Sequence, residues 1–183
     1  PRWPPAPDPA GPLVRVVVAP DSMGGLLSAP DLAAAIARGW HDVRPDDRVH
    51  GVPMSDGGEG LLDAVHRDED RRIDVEVAGP LGHPVDAWVS LRPDGTAVVE
   101  SARACGLARL RDERRDPMRA TTYGVGQLLD AAREAGARRV LVGLGGSATV
   151  DGGSGALIGL GFRLRVADGS GLKVGAADLH RLR

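Results

Sequence analysis

Residues 13–31, LVRVVVAPDSMGGLLSAPD, set an apolar run, a glycine turn and a helix start side by side. Residues 13–19 are β-branched and nearly continuous, the texture of a strand buried on both faces. Ser28, Pro30 and Asp31 then open a helix. Ser28 can cap it, Asp31 follows three residues on as in a capping box, and Pro30 falls in the tolerant first turn. Leu32, Ile36 and Trp40 recur every four residues and make one apolar face. DRVHGVP (47–53) reads as a second short strand. Strand, loop, helix and strand in that order predict the start of a parallel, Rossmann-like α/β sheet. The turn at 19–28 has the setting of a phosphate cradle but contains no lysine.

The bulk composition suits such a core. The chain has 183 residues, 42% hydrophobic and 26% charged, enough for one good core or two small lobes. A net charge of -2 offers no bulk attraction to nucleic acid or to anionic membrane. Aromatics at 3% argue against base-stacking platforms. A single cysteine, Cys105, excludes an internal disulfide and suits the cytoplasm, where it reads as a small buried hydrophobe. No apolar run approaches membrane-spanning length. Residues 1–12 form a proline-rich tail expected to be disordered.

From about residue 71 the pattern changes. RRIDVEVAGP, GHPVDAWVSL and GTAVVESA alternate with period two and are separated by Gly-Pro, Gly-His-Pro and Pro-Asp-Gly, which predicts an antiparallel meander. A helix follows at TTYGVGQLLDAAREAG, with Thr122 as cap, Val125, Leu128, Leu129 and Ala132 on one face, and Gly136 as its end. RRVLVGLGG reads as another buried strand, SGALIGLG as a short helix and FRLRVAD as a further strand. The expected organisation is a first Rossmann-like lobe over 13–70 and part of a second α/β lobe, carrying the meander, over 71–183.

Three glycine-rich turns fall at strand exits, 20–25, 55–60 and 143–153, and each carries an acid: Asp21, Asp56 with Glu59, and Asp151. The carboxyl ends of strands form the ligand crevice of an open α/β sheet. Gly143–Ala148 matches the dinucleotide fingerprint G-x-G-x-x-A. The following SATVDGGSG, with a β-branched pair and three glycines, is too poor a helix former for a dinucleotide site. A loop whose amides and Ser147 and Thr149 hydroxyls meet an anion is the better reading. In SDGGEG, Asp56 can cap a helix starting at Gly57 or Gly58, or pair with Glu59 on Mg²⁺ or a substrate hydroxyl. The five histidines show no metal-ligand spacing.

Taken together and in order, APDS…LSA, PMSDGGEG, VVESARACGL, RDPMRATTYGVGQLL, VGLGGSATVDGGSG and ADG resemble the N-terminal part of the bacterial glycerate 2-kinase family, from about Val14 to the chain end. The resemblance implies two α/β domains flanking a cleft, and ATP- and Mg²⁺-dependent phosphorylation of D-glycerate, giving 2-phosphoglycerate. It implies that Gly145, Gly146, Ser147 and Thr149 cradle an anion, and that Asp56 and Glu59 hold Mg²⁺ or the glycerate hydroxyls. Asp21 or Asp151 would orient the attacking hydroxyl. Ser22, Gly24 and Gly25 would make a reduced phosphate contact, because the family loop reads D-S-F-K-G-S/T-L-S and Gly24 stands where it has lysine. The family is about twice as long, so this chain is expected to be incomplete, with a missing C-terminal half or a dimer covering its open edges. A truncated, non-catalytic remnant and, more remotely, a nicotinamide-binding domain are the competing expectations.

Overall fold

The structure, a computed structural model, describes residues 11–23, 26–110 and 115–182. The expected tail therefore lies, except for residues 11 and 12, outside the described residues, as do Gly24 and Gly25. The chain forms two compact units, one ending at Ser55 and the other starting at Asp56.

In the first unit β1 (Arg15–Val18) pairs in parallel with β2 (Arg48–Gly51), and α1 (Ala29–His41) connects them. The capping box forms: Asp31 N–H donates to Ser28 Oγ at 3.2 Å, and Ser28 Oγ–H donates to Asp31 Oδ2 at 2.7 Å. Helix α1 packs on both strands and buries Ala29 and Ala33. β1 is not buried on both faces as its apolar run predicts. Val18 is buried, while Val17 is 66% exposed, because this sheet has two strands and α1 packs against it from one side. The unit is tied instead by a polar clamp. Asp47 accepts from Arg44 Nε (2.6 Å) and Nη2 (2.9 Å), Trp40 Nε1 (2.9 Å) and Val14 N–H (3.0 Å). Arg44 beside it holds the Asp47 carboxyl well below the usual carboxylate range.

The second unit is a four-stranded sheet in the order β3 (Arg71–Ala78), β4 (Pro84–Leu91), β5 (Thr96–Glu100), β6 (Arg139–Gly143). β3, β4 and β5 form the expected meander, and β6 joins β5 in parallel. The β4–β5 turn uses Pro93 and Asp94 and closes on Gly95 at φ +80°, a conformation that favours glycine. The short α2 (Leu61–Val65) precedes the sheet, and α3 (Ala102–Cys105) and α4 (Tyr123–Glu134) lie between β5 and β6. Alternation along the strands sorts the apolar residues. Val77, Val89, Leu91, Ala97 and Val99 pack with Val125, Leu128 and Ala132 of α4. Trp88 and Val98, on alternate positions, pack with Leu62 of α2. Because Leu62 belongs to this cluster, residues 56–70 group with the second unit, and not with 13–55 as the expected boundary at 70/71 has it.

Gly136, at φ +94°, ends α4, and Ala137 N–H bonds back to Ala132 C=O at 3.0 Å. Two expectations change. β6 lies at the sheet edge with Leu141 and Val142 exposed, so it is not a doubly buried strand. Residues 162–168 form no strand, only isolated bridges from Arg165 to Gly171 and from Val166 to Leu182, and α5 (Ser154–Gly159) is as short as its glycines suggest. Among the described residues no helix is long and apolar enough to cross a membrane.

Candidate functional site

Two of the three acidic glycine turns meet inside the second unit. Loop 56–60 and loop 143–146 touch backbone to backbone: a Cβ on Gly145 would come within 2.6 Å of Gly58 Cα, and one on Gly143 within 2.6 Å of Gly57 O. That contact is a physical reason for glycine at these positions beyond any ligand. Glu59 lies alongside Gly146, with Cγ and Oε1 3.5 and 3.6 Å from where a Gly146 Cβ would be. Asp56 does not cap a helix. α2 starts later, at Leu61 after a left-handed Gly60, and Asp56 Oδ1 accepts from Gly58 N–H at 2.8 Å, bracing the turn.

The loop after β6 is held from one side. Leu107 N–H donates to Gly146 C=O at 2.8 Å, and Ala148 N–H donates to Cys105 C=O at 2.8 Å. The N–H groups of Gly145, Gly146 and Ser147 have no acceptor among the described residues. Gly146 and Ser147 are exposed. Successive unpaired amides beside a carboxylate make a loop that can take an anion through its N–H groups and a cation through Glu59. Residues 144–150 contain no helix, so the dinucleotide fingerprint lacks the helix it needs.

Thr149 and Asp151 point the other way. Thr149 Oγ1 donates to Ala120 C=O at 2.7 Å and accepts from Asp151 N–H at 3.1 Å, so its hydroxyl is engaged within the fold. Asp151 is 1% exposed. Its carboxylate accepts from Thr121 Oγ1 (3.2 Å), Thr122 N–H (2.8 Å), Thr122 Oγ1 (3.0 Å), Gly153 N–H (3.0 Å) and Gly155 N–H (3.2 Å). A carboxylate has about four acceptor sites. Asp151 therefore fits the anchor joining α5 to the start of α4 better than the group orienting a substrate hydroxyl. Gly155 must lack a side chain, since its Cβ would lie 2.6 Å from Asp151 Oδ2.

Glu100 carries a positioning role that the sequence reading leaves unassigned. It is 3% exposed at the end of β5, and it accepts from Gly60 N–H at 3.2 Å and Leu62 N–H at 3.0 Å. It thus fixes the amides one and three residues after Glu59. Arg103 lies 3.5 Å from it and forms a two-oxygen contact with Asp63 at 2.9 and 3.0 Å. An acid closing an apolar strand, VVE, is the signal that could have found it. Cys105 is buried, as expected, and burial pushes its thiol up. Among the described residues no three His, Cys, Asp or Glu side chains gather into a metal cluster.

In the first unit Asp21 is exposed and its Oδ1 accepts from Ser22 N–H at 2.6 Å. Met23 and Leu27 are joined by an isolated antiparallel bridge.

A sequence model described as the glycerate kinase family matches residues 16–183. The chain belongs to this family. It is 44% identical over 144 residues to a glycerate kinase of Bacillus subtilis (strain 168), covering 78% of this chain and 38% of that protein. It is 42% identical over 144 residues to glycerate 2-kinase of Escherichia coli (strain K12), with the same coverage of 78% and 38%. A crystal structure from Salmonella typhimurium LT2, of a protein named for glycerate kinase 2, superposes with a TM-score of 0.74 at 40% identity, over 94% of this chain and 46% of that one. The chain thus spans under two fifths of the length of the curated relatives it matches. The match to a family of mixed α/β kinases agrees with the fold class read from the sequence.

Proposed function

We propose that this chain carries part of the machinery of an ATP-dependent glycerate kinase, which transfers the terminal phosphoryl group to D-glycerate and yields 2-phosphoglycerate. The observation that carries the reading is the loop 145–147, whose unpaired amides sit beside Glu59 in a member of the glycerate kinase family. Phosphoryl transfer asks little covalent chemistry of a protein and much positioning of charge. In this reading the amides of Gly145, Gly146 and Ser147 and the Ser147 hydroxyl bind a phosphate or the glycerate carboxylate. Asp56 and Glu59, three residues apart, fit Mg²⁺, which needs one or two carboxylates and fills its shell with water and phosphate oxygens. When bound, that ion neutralises charge on the transferring group. Glu100 keeps the acidic loop in place. Asp21 is the acid assigned to the attacking hydroxyl, with Ser22, Gly24 and Gly25 as phosphate contacts. Asp151 and Thr149 act through the loop they brace.

The test is ADP release that depends on both D-glycerate and Mg²⁺, with the phosphorylated carbon read by NMR. Gly24→Lys should raise turnover by about 10–100-fold, the value of a charge-assisted phosphate contact. Absence of glycerate-dependent ADP release, from this chain alone and from a chimaera supplying the remaining length of a relative, overturns the proposal.

A further inference from the structure

The far end of the second unit's sheet gathers positive charge of a kind the candidate site does not use. A surface cavity of about 400 Å³ is lined by Arg71 at the start of β3, Arg92 after β4, Arg138 before β6, Glu69, Gly95 and Gly136. Among the described residues none of these three arginines forms an ion pair. Glu69 is turned to Arg67, 3.8 Å away, and the neighbouring Asp94 carboxylate accepts from Thr96 N–H at 2.8 Å. Two of the arginines are braced by backbone carbonyls: Arg71 Nη2 donates to Ala135 C=O at 2.7 Å, and Arg138 Nη2 donates to Asp94 C=O at 3.0 Å. The Arg138 guanidinium lies over Gly95, where a Cβ would meet its Nε at 2.9 Å. Arg92 Nε is buried with no hydrogen-bond partner.

We propose that this cavity is a second anion site, one that takes a phosphoryl group, as inorganic phosphate or as a small phosphate monoester. Guanidinium groups match the oxygens of a phosphate with paired N–H donors, and braced guanidinium groups lose less freedom on binding. Arg92 makes no side-chain hydrogen bond or ion pair among the described residues, so its guanidinium is the one of the three that still lacks an acceptor. Glycine at 95 leaves room for Arg138 to lie flat at the rim. The site is separate from the candidate active loop. β5 (Thr96–Glu100) leads from Gly95 at the cavity to Glu100 beside that loop, about 17 Å along the strand at roughly 3.3 Å per residue.

Titration calorimetry of the 183-residue chain with inorganic phosphate, against chloride at matched ionic strength, tests this. Wild type should bind saturably, and Arg92→Met and Arg138→Gln should each weaken binding about 10–100-fold. Arg92→Met should melt no lower than wild type without ligand, since it removes an unpartnered buried donor, so lost affinity does not report unfolding. A phosphate monoester that is not the proposed product, such as phenyl phosphate, distinguishes the sources when titrated into wild type and Arg138→Gln: ester binding tighter than phosphate and weakened in the variant assigns a monoester, and equal or weaker ester binding assigns free phosphate. No saturable binding up to about 10 mM, binding unchanged in both arginine variants, or binding lost in Ser147→Ala but kept in the arginine variants overturns the proposal.

Discussion

Asp47 and Asp151 are both buried carboxylates, one in each unit, and they are held in opposite ways. Asp47 is 4% exposed and gripped by a guanidinium three residues earlier, so its clamp is largely local. Asp151 is 1% exposed, and its hydrogen bonds come from neutral amides and hydroxyls, several of them about thirty residues away in the chain. A local ion pair secures one helix end to one strand. A carboxylate bonded across elements secures the start of α4 to the loop before α5, and through that loop the backbone that meets Gly58. The difference separates an acid held within one local clamp from one that ties together elements far apart in the chain.

The comparison breaks most visibly at Asp151. Asp151→Asn turns one acceptor oxygen into a donor facing the Thr121, Thr122 and Gly155 donors, and should cost about 3–5 kcal/mol in denaturant unfolding. A loss below about 1 kcal/mol would show that Asp151 is not the anchor described here.

Asp47→Asn should cost less, and its cost should depend on pH. The folded carboxyl of Asp47 titrates well below its unfolded value. Its contribution is therefore present above the unfolded pKa, near 4, and is lost as pH falls through the folded one. The gap in stability between wild type and variant should stay constant from neutral pH to about pH 5 and close at lower pH. A gap that widens on acidification contradicts the clamp.

Two glycines sharpen the same contrast at smaller scale. In α4, a Cβ on Gly126 would meet the Ala156 carbonyl and lie 2.9 Å from Gly159 Cα, so Gly126→Ala should cost about 1–3 kcal/mol. In α1, a Cβ on Gly39 would meet nothing within 4 Å, so Gly39→Ala should gain about 0.5–1 kcal/mol. Thermal melts of both variants check the pair, and equal signs would refute the packing argument.

Much of this was legible in residue order. The capping box at Ser28, the meander and its turns, and the apolar face of α4 are written in spacings of two, three and four residues, because they depend on neighbours along the chain. The acidic glycine turns were legible as a group, and the family motifs made their combination specific. What was not legible depended on contacts at long sequence separation. Val17 and Leu141 read as buried because β-branched runs look alike in central and edge strands, and only the number of strands and covering helices tells them apart. Thr149 and Asp151 read as ligands because a hydroxyl and a carboxylate in a glycine loop look the same whether turned outward or inward. Glu100 was passed over because its partners, Gly60 and Leu62, lie about forty residues back.

The sequence by itself determined the capping box of α1, the meander and its turns, the apolar face of α4, and the family. The tertiary structure decided which acid lies beside open backbone amides and which faces the core. Glu59 is left beside the open amides of the 145–147 loop, while Asp151 is drawn inward by five donors. The reason is that hydrogen-bond satisfaction is a property of the surroundings, and a buried carboxylate takes the side where its donors are.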